Sequence, residues 1–167
     1  MRNATFECSL RYTAVVIAAA WLTQISTTAD PAPSSPADLS QIERDAEKGI
    51  NAHRKSTGRP MFRSEATVAK IARGHSRAMA RGKVGFGHDG LQDRVKQVQK
   101  HFEIAGAAEN VSKHQRKKGH AEAAVNRWLE SPVHLKNIDG DYDLSGVGAA
   151  MSKDGTVFIT QIFVKLR

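Results

Sequence analysis

The chain has 167 residues, with 25 Lys/Arg against 17 Asp/Glu, a net charge of +8 and a single cysteine. That length supports a proper hydrophobic core without disulfide help, and one thiol excludes both a disulfide framework and a thiolate metal cluster. The basic balance favours anionic partners, yet the densest run, KHQRKKGH at 113–120, has no interleaved aromatic residue and so offers no base-stacking surface.

Arg2 and Arg11 precede or border an apolar run, AVVIAAAWL at 14–22, which leads into TQISTTAD. This order reads as a signal peptide over 1–29, cleaved after Ala29. The apolar run is far short of the roughly 20 residues that cross a bilayer; an uncleaved anchor is the lesser alternative. Cys8 lies before the run, so a mature chain starting near Asp30 has no thiol. It is expected outside the cell or in the periplasm. The Pro/Ser-rich DPAPSSPA at 30–37 opens a linker over 30–40, ahead of one domain over 41–167.

From Asp38, Leu39, Ile42, Ala46, Ile50 and His53 recur at helical spacing until Gly58 and Pro60 end the helix. A second helix is predicted over Glu65–Gly82, burying Val68, Ala72, His75 or Ser76, and Met79. Gly82, Gly85, Gly87 and Gly90 then open a loop that carries His88, a good setting for aiming a side chain. A short polar helix follows over Asp89–Phe102, with Leu91, Val95, Val98 and Phe102 inward. AAENVSK at 107–113 suits a strand or an extended loop. A fourth helix, His120–Glu130, buries Ala121, Ala124, Val125 and Trp128.

That helix stops at Ser131-Pro132, which reads as the N-cap and first residue of another short helix. His134 then lies near free backbone N–H groups, which disfavour the imidazolium and hold the ring in the neutral, metal-binding form. At the end of the chain, GVGAAMS and TVFITQIFVK flank Lys153-Asp154-Gly155, a hairpin signal. Helices first and a hairpin last, without βαβ alternation, give an α+β fold with an antiparallel sheet.

Several of these residues form an ordered set of motifs. Asn51 and Arg54 come first, with Gly58 and Pro60; Ala72, His75-Ser76, Met79 and then His88 follow. Glu109-Asn110-Val111 is next, and after it Trp128, Ser131-Pro132, His134 and Asn137-Ile138. Gly146-Val147-Gly148 and a closing TQIF complete the set. From about Ile42 to Val164 the chain thereby resembles the CAP superfamily, also called the SCP or pathogenesis-related-1 domain, and its bacterial secreted members in particular. The resemblance implies a three-layer α-β-α sandwich around a central antiparallel sheet.

In that family two histidines and two glutamates converge in a cleft, and some members bind a divalent metal such as zinc there. His88, Glu109 and His134 match three of the four positions, with His88 and His134 as the metal candidates. Glu109 either orients a ring by accepting its second N–H or ties down backbone amides. The fourth position is Ser131, and the neighbouring Glu130 is rotated by about 100° around the helix. A general base for metal-assisted hydrolysis is thus missing, and neither His-Glu-x-x-His nor Gly-x-Ser-x-Gly occurs. The resemblance favours a monomeric binding module for a lipid, sterol, peptide or anionic envelope polymer. A metal-dependent extracellular hydrolase or peptidase, with His88, Glu109 and His134 as catalytic candidates, is the alternative, and nucleic acid is not an expected partner. His53, His75, His101, His114 and His120 read as helix-face or surface residues.

Overall fold

The computed structural model describes residues 35–116 and 118–167. The expected signal peptide, its cleavage site and Cys8 lie outside these residues. Helix α1 (Pro36–Ser56) starts earlier than its apolar stripe suggests. The Ser35 hydroxyl accepts the Asp38 N–H, and the Asp38 carboxylate accepts the Ser35 N–H, which satisfies two N–H groups at once. Part of the 30–40 stretch expected as linker is therefore helical.

Next come β1 (Arg63–Ser64), α2 (Ala66–Ala80), α3 (Leu91–Gln99) and β2 (Ile104–His114). The chain then forms α4 (His120–Glu130), α5 (Pro132–Ile138), β3 (Leu144–Met151) and β4 (Val157–Leu166). The strands lie in the order β1-β3-β4-β2. β3 and β4 form the antiparallel hairpin, and β2 pairs antiparallel with β4 along its length. The two-residue β1 runs parallel to β3, so the sheet is antiparallel, as expected, apart from that short edge. Two residues carry no alternation to read.

Both faces of the sheet are covered, which makes three α-β-α layers. On one face Ile42, Ala46 and Ile50 of α1 meet Ala124, Val125 and Trp128 of α4, Ile138 of α5, and Val147, Ile159 and Phe163 of the hairpin. On the other, Val68 and Ala72 of α2 and Val98 of α3 pack on Ile104, Leu144, Ile162 and Val164. Successive strand residues point to opposite faces, so Val147 serves the first layer while Gly146 and Gly148 serve the second. A Cβ on Gly146 would lie 2.2 Å from the Ala69 nitrogen, and one on Gly148 2.0 Å from the Arg73 nitrogen. The two glycines therefore set how closely α2 approaches the sheet.

Arg54 fixes the connection between layers. Its guanidinium donates to the carbonyls of Pro60 (2.6 Å), Ile138 (2.6 Å) and Gly140 (2.9 Å), and stacks 3.8 Å from the Phe62 ring centroid. Asn51 clasps Phe62 through both the N–H and the carbonyl of that residue. The Asn-x-x-Arg pair thus ties the end of α1 to the end of α5. Among the described residues no helix is long and apolar enough to cross a membrane.

Candidate functional site

His88 sits where the glycine loop meets α3, and its Nδ1 lies 2.9 Å from Oε1 of Glu109 on β2. An ionised carboxylate only accepts, so the ring donates from Nδ1. Arg94 of α3 grips the same carboxylate twice, Nε to Oε2 at 2.6 Å and Nη2 to Oε1 at 2.7 Å, in a fork geometry that suits a guanidinium. The Glu109 side chain is fully buried, and that of Arg94 nearly so. The remaining Arg94 donors hold the loop itself, at the carbonyls of Asp89 and His88. Gly90 makes this possible by taking a left-handed conformation (φ 75°) as the N-cap of α3.

His134 reaches the same region from α5. Its carbonyl accepts from the Asn110 side chain at 3.2 Å, and Asn137 bonds the Asn110 side-chain oxygen at 2.9 Å. Neighbouring residues of β2 thus carry Glu109 and hold the short helix that carries His134. Ser131 is the N-cap by position, but its hydroxyl makes no capping hydrogen bond. The break at Ser131-Pro132 redirects the chain so that His134 lies beside β2. His134 has its pKa lowered first by burial, then by its electrostatic neighbours His88 and Arg127. This favours the neutral ring expected from the sequence, with burial, not the helix terminus, as the leading cause. Its Nδ1 is buried without a hydrogen-bond partner among the described residues.

Of the remaining histidines, His114 and His120 depart from the expected helix-face or surface roles, while His75 lies on the buried stripe of α2 that the sequence marks. His75 is buried, donates from Nε2 to the Gly87 carbonyl (2.8 Å), and lies 3.9 Å from Glu109 Oε1. Its place on the buried stripe of α2 is the signal that marks it. His120 is buried at the start of α4. His114 bonds Ser112 on β2. Burial lowers the pKa of all three and of His134.

The sign of the resulting pH dependence is fixed. A histidine whose folded pKa is lowered binds its proton more readily in the unfolded chain. Its neutral-state stability is present above the unfolded pKa of about 6.5 and is lost as pH falls below it. Thermal unfolding at pH 5 is expected at least about 4 °C below that at pH 7.5, the size of a 1 kcal/mol loss in a domain of this length. An unchanged or higher midpoint at pH 5 would show these rings to be solvated.

The donor set does not fit a metal ion. Among the described residues no group of three or more His, Cys, Asp or Glu side chains is arranged to hold one. Both Glu109 oxygens are engaged by Arg94 and His88. The fourth family position is Ser131. What the cleft offers chemically is a carboxylate-oriented imidazole, His88, half-exposed at the end of a buried ion pair.

A second concave feature is bordered by α1 and α4. Between α1 and α4 runs a groove of about 1080 Å³. Ile42, Gly49, Ala52, Val125 and Leu129 are among its lining residues, with Asp38, Asp45, Lys118 and Glu122 also bordering it. The two helices pack closely at Gly49, where a Cβ would lie 3.2 Å from Val125. Sequence periodicity marks the core face of each helix but not a hollow formed by their crossing.

Residues 48–163 match the model of a family described as CAP, the cysteine-rich secretory protein family. Comparison with curated proteins gave no significant match. Among solved structures, an outer surface protein of Borrelia burgdorferi aligns at TM-score 0.62 and 18% identity, covering 76% of this chain and 94% of its own. An extracellular protein containing an SCP domain from Bacillus anthracis aligns at TM-score 0.59 and 26% identity, over 80% of this chain and 44% of that one. A cysteine-rich secretory protein from Staphylococcus aureus aligns at TM-score 0.60 and 19% identity, over 78% and 40% respectively. The chain thus spans less than half the length of the Bacillus and Staphylococcus proteins.

Proposed function

The chain belongs to the CAP family, and from that premise we propose that it is an exported binding module that holds an elongated apolar ligand, a lipid acyl chain, in the groove between α1 and α4. The groove carries this reading. Its volume of about 1080 Å³ is at the upper end of ligand-sized sites, typically ~300–1,000 Å³, and its exposed wall is mostly apolar in area, although nine of its sixteen lining residues are polar. Export is supported by the leader-like start of the sequence and by the extracellular Bacillus relative. The basic surface complements anionic lipid headgroups or envelope polymers. A metal-dependent hydrolase gains no support, because Ser131 stands at the fourth cleft position and Glu109 is spent on Arg94.

Ala52 is exposed on the groove side of α1, so Ala52→Trp fills the hollow without entering the core. Titration with the fluorescent fatty acid cis-parinaric acid is expected to give saturable binding to the parent. Ala52→Trp should weaken it at least about tenfold, the loss of some 1.4 kcal/mol of contact. Equal binding by both proteins, or none by the parent, would refute the groove as the ligand site.

A further inference from the structure

We infer that Arg94 removes Glu109 from metal chemistry, so that the cleft of this chain is a metal-free histidine–carboxylate pair in which His88 Nε2 is the free lone pair. Four observations support this. The guanidinium occupies Oε2 at 2.6 Å and Oε1 at 2.7 Å, and the His88 Nδ1–H occupies Oε1 at 2.9 Å. The carboxylate side chain is fully buried, leaving it no solvent face on which to take a cation. A bound cation would also stand beside the Arg94 charge and meet direct repulsion. His75, the nearest other imidazole, has its Nε2 committed to the Gly87 carbonyl.

What remains is His88 and His134, two ring donors where even an open zinc site needs three protein ligands. The same contacts give the cleft a different property. Glu109 fixes the His88 ring with its proton on Nδ1, as an outer-shell carboxylate does for a ligating histidine. Here Nε2 is left to accept a hydrogen bond from a hydroxyl or amide N–H of a ligand, on a side chain that is 47% exposed. Arg94 is a positioning residue, because it acts on His88 through Glu109 and through the loop carbonyls of His88 and Asp89.

Two measurements test this on the domain that includes residues 35–167. Zinc calorimetry at pH 7 is expected to show no site in the parent that His88→Ala weakens, and Arg94→Met should tighten zinc binding at least about tenfold, the usual effect of a neighbouring-shell change. A one-to-one parent site that His88→Ala weakens tenfold would overturn the inference. So would a folded Arg94→Met protein with unchanged zinc affinity, since Arg94 would then not be what withholds the carboxylate. If Arg94→Met does not fold, the decision passes to the parent's nitrogen NMR spectrum. The neutral form of the His88 ring should carry its proton on Nδ1; the reverse tautomer would overturn the assignment.

Discussion

Gly148→Ala is expected to destabilise the domain by about 3 kcal/mol or more, at the upper end of overpacking costs. The added methyl would sit 2.0 Å from the Arg73 nitrogen, 2.3 Å from its Cα and 2.6 Å from the Ala72 carbonyl carbon. These are backbone atoms of a helix in mid-course, so no rotamer change relieves the overlap. α2 has to lift from the sheet, which strains the Ser76 hydroxyl's bonds to the Gly148 carbonyl (2.8 Å) and the Thr160 hydroxyl (2.9 Å). It also moves Arg73 away from Glu43, whose carboxylate holds both that guanidinium and the Ala149 N–H. Gly74→Ala on the same helix is the control. No atom lies within 4 Å of its Cβ position, and alanine is preferred to glycine in a helix by about 1 kcal/mol. Chemical denaturation of the two variants should give shifts of opposite sign. A Gly148→Ala protein as stable as the parent would mean that α2 does not approach β3 as described.

The second large effect is expected at Arg54. Arg54→Met keeps the aliphatic length but strands three carbonyls, of Pro60, Ile138 and Gly140, and removes the cation from the Phe62 face. Each buried acceptor left unpaired costs ~1–3 kcal/mol, with the lower values where water enters. A net loss of about 3–5 kcal/mol is expected, in the range seen when one member of a buried charged network is removed. Hydrogen exchange should accelerate most in the segment 138–142, which Arg54 bonds directly, and least in the hairpin. A loss below about 1 kcal/mol would show that solvent already serves these carbonyls.

Much of this architecture is legible in the sequence where burial is periodic. The stripe Val68, Ala72, Ser76 and Met79 marks α2, and His120–Glu130 has the bounds of α4 because glycine precedes it and Ser-Pro follows. The Asp154-Gly155 turn marks the hairpin, with Gly155 in the left-handed region that such turns require (φ 82°). Less legible were features set by contacts distant in sequence. The parallel β1 is too short to show a period, and proline and serine around residue 35 resemble a linker although Ser35 and Asp38 form a capping pair.

At the site, the family motifs brought attention to His88, Glu109 and His134, and the fold brings all three to one region. Arg94 is not legible in the sequence, because a lone arginine on a polar helix usually faces solvent and nothing local reveals a carboxylate fifteen residues away as its partner. His75 stood on a buried stripe, yet only the loop's return places its ring against Gly87. The groove between α1 and α4 depends on how two helices cross, which periodicity within each helix leaves open.

The most direct measurement follows backbone amide shifts of the nitrogen-labelled domain while cis-parinaric acid is added. Ligand held between α1 and α4 should move the signals of Gly49, Ala52, Ala121, Val125 and Leu129, all groove residues. Movement confined to the loop at His88 and the helix at His134, with the groove signals still, would contradict the account.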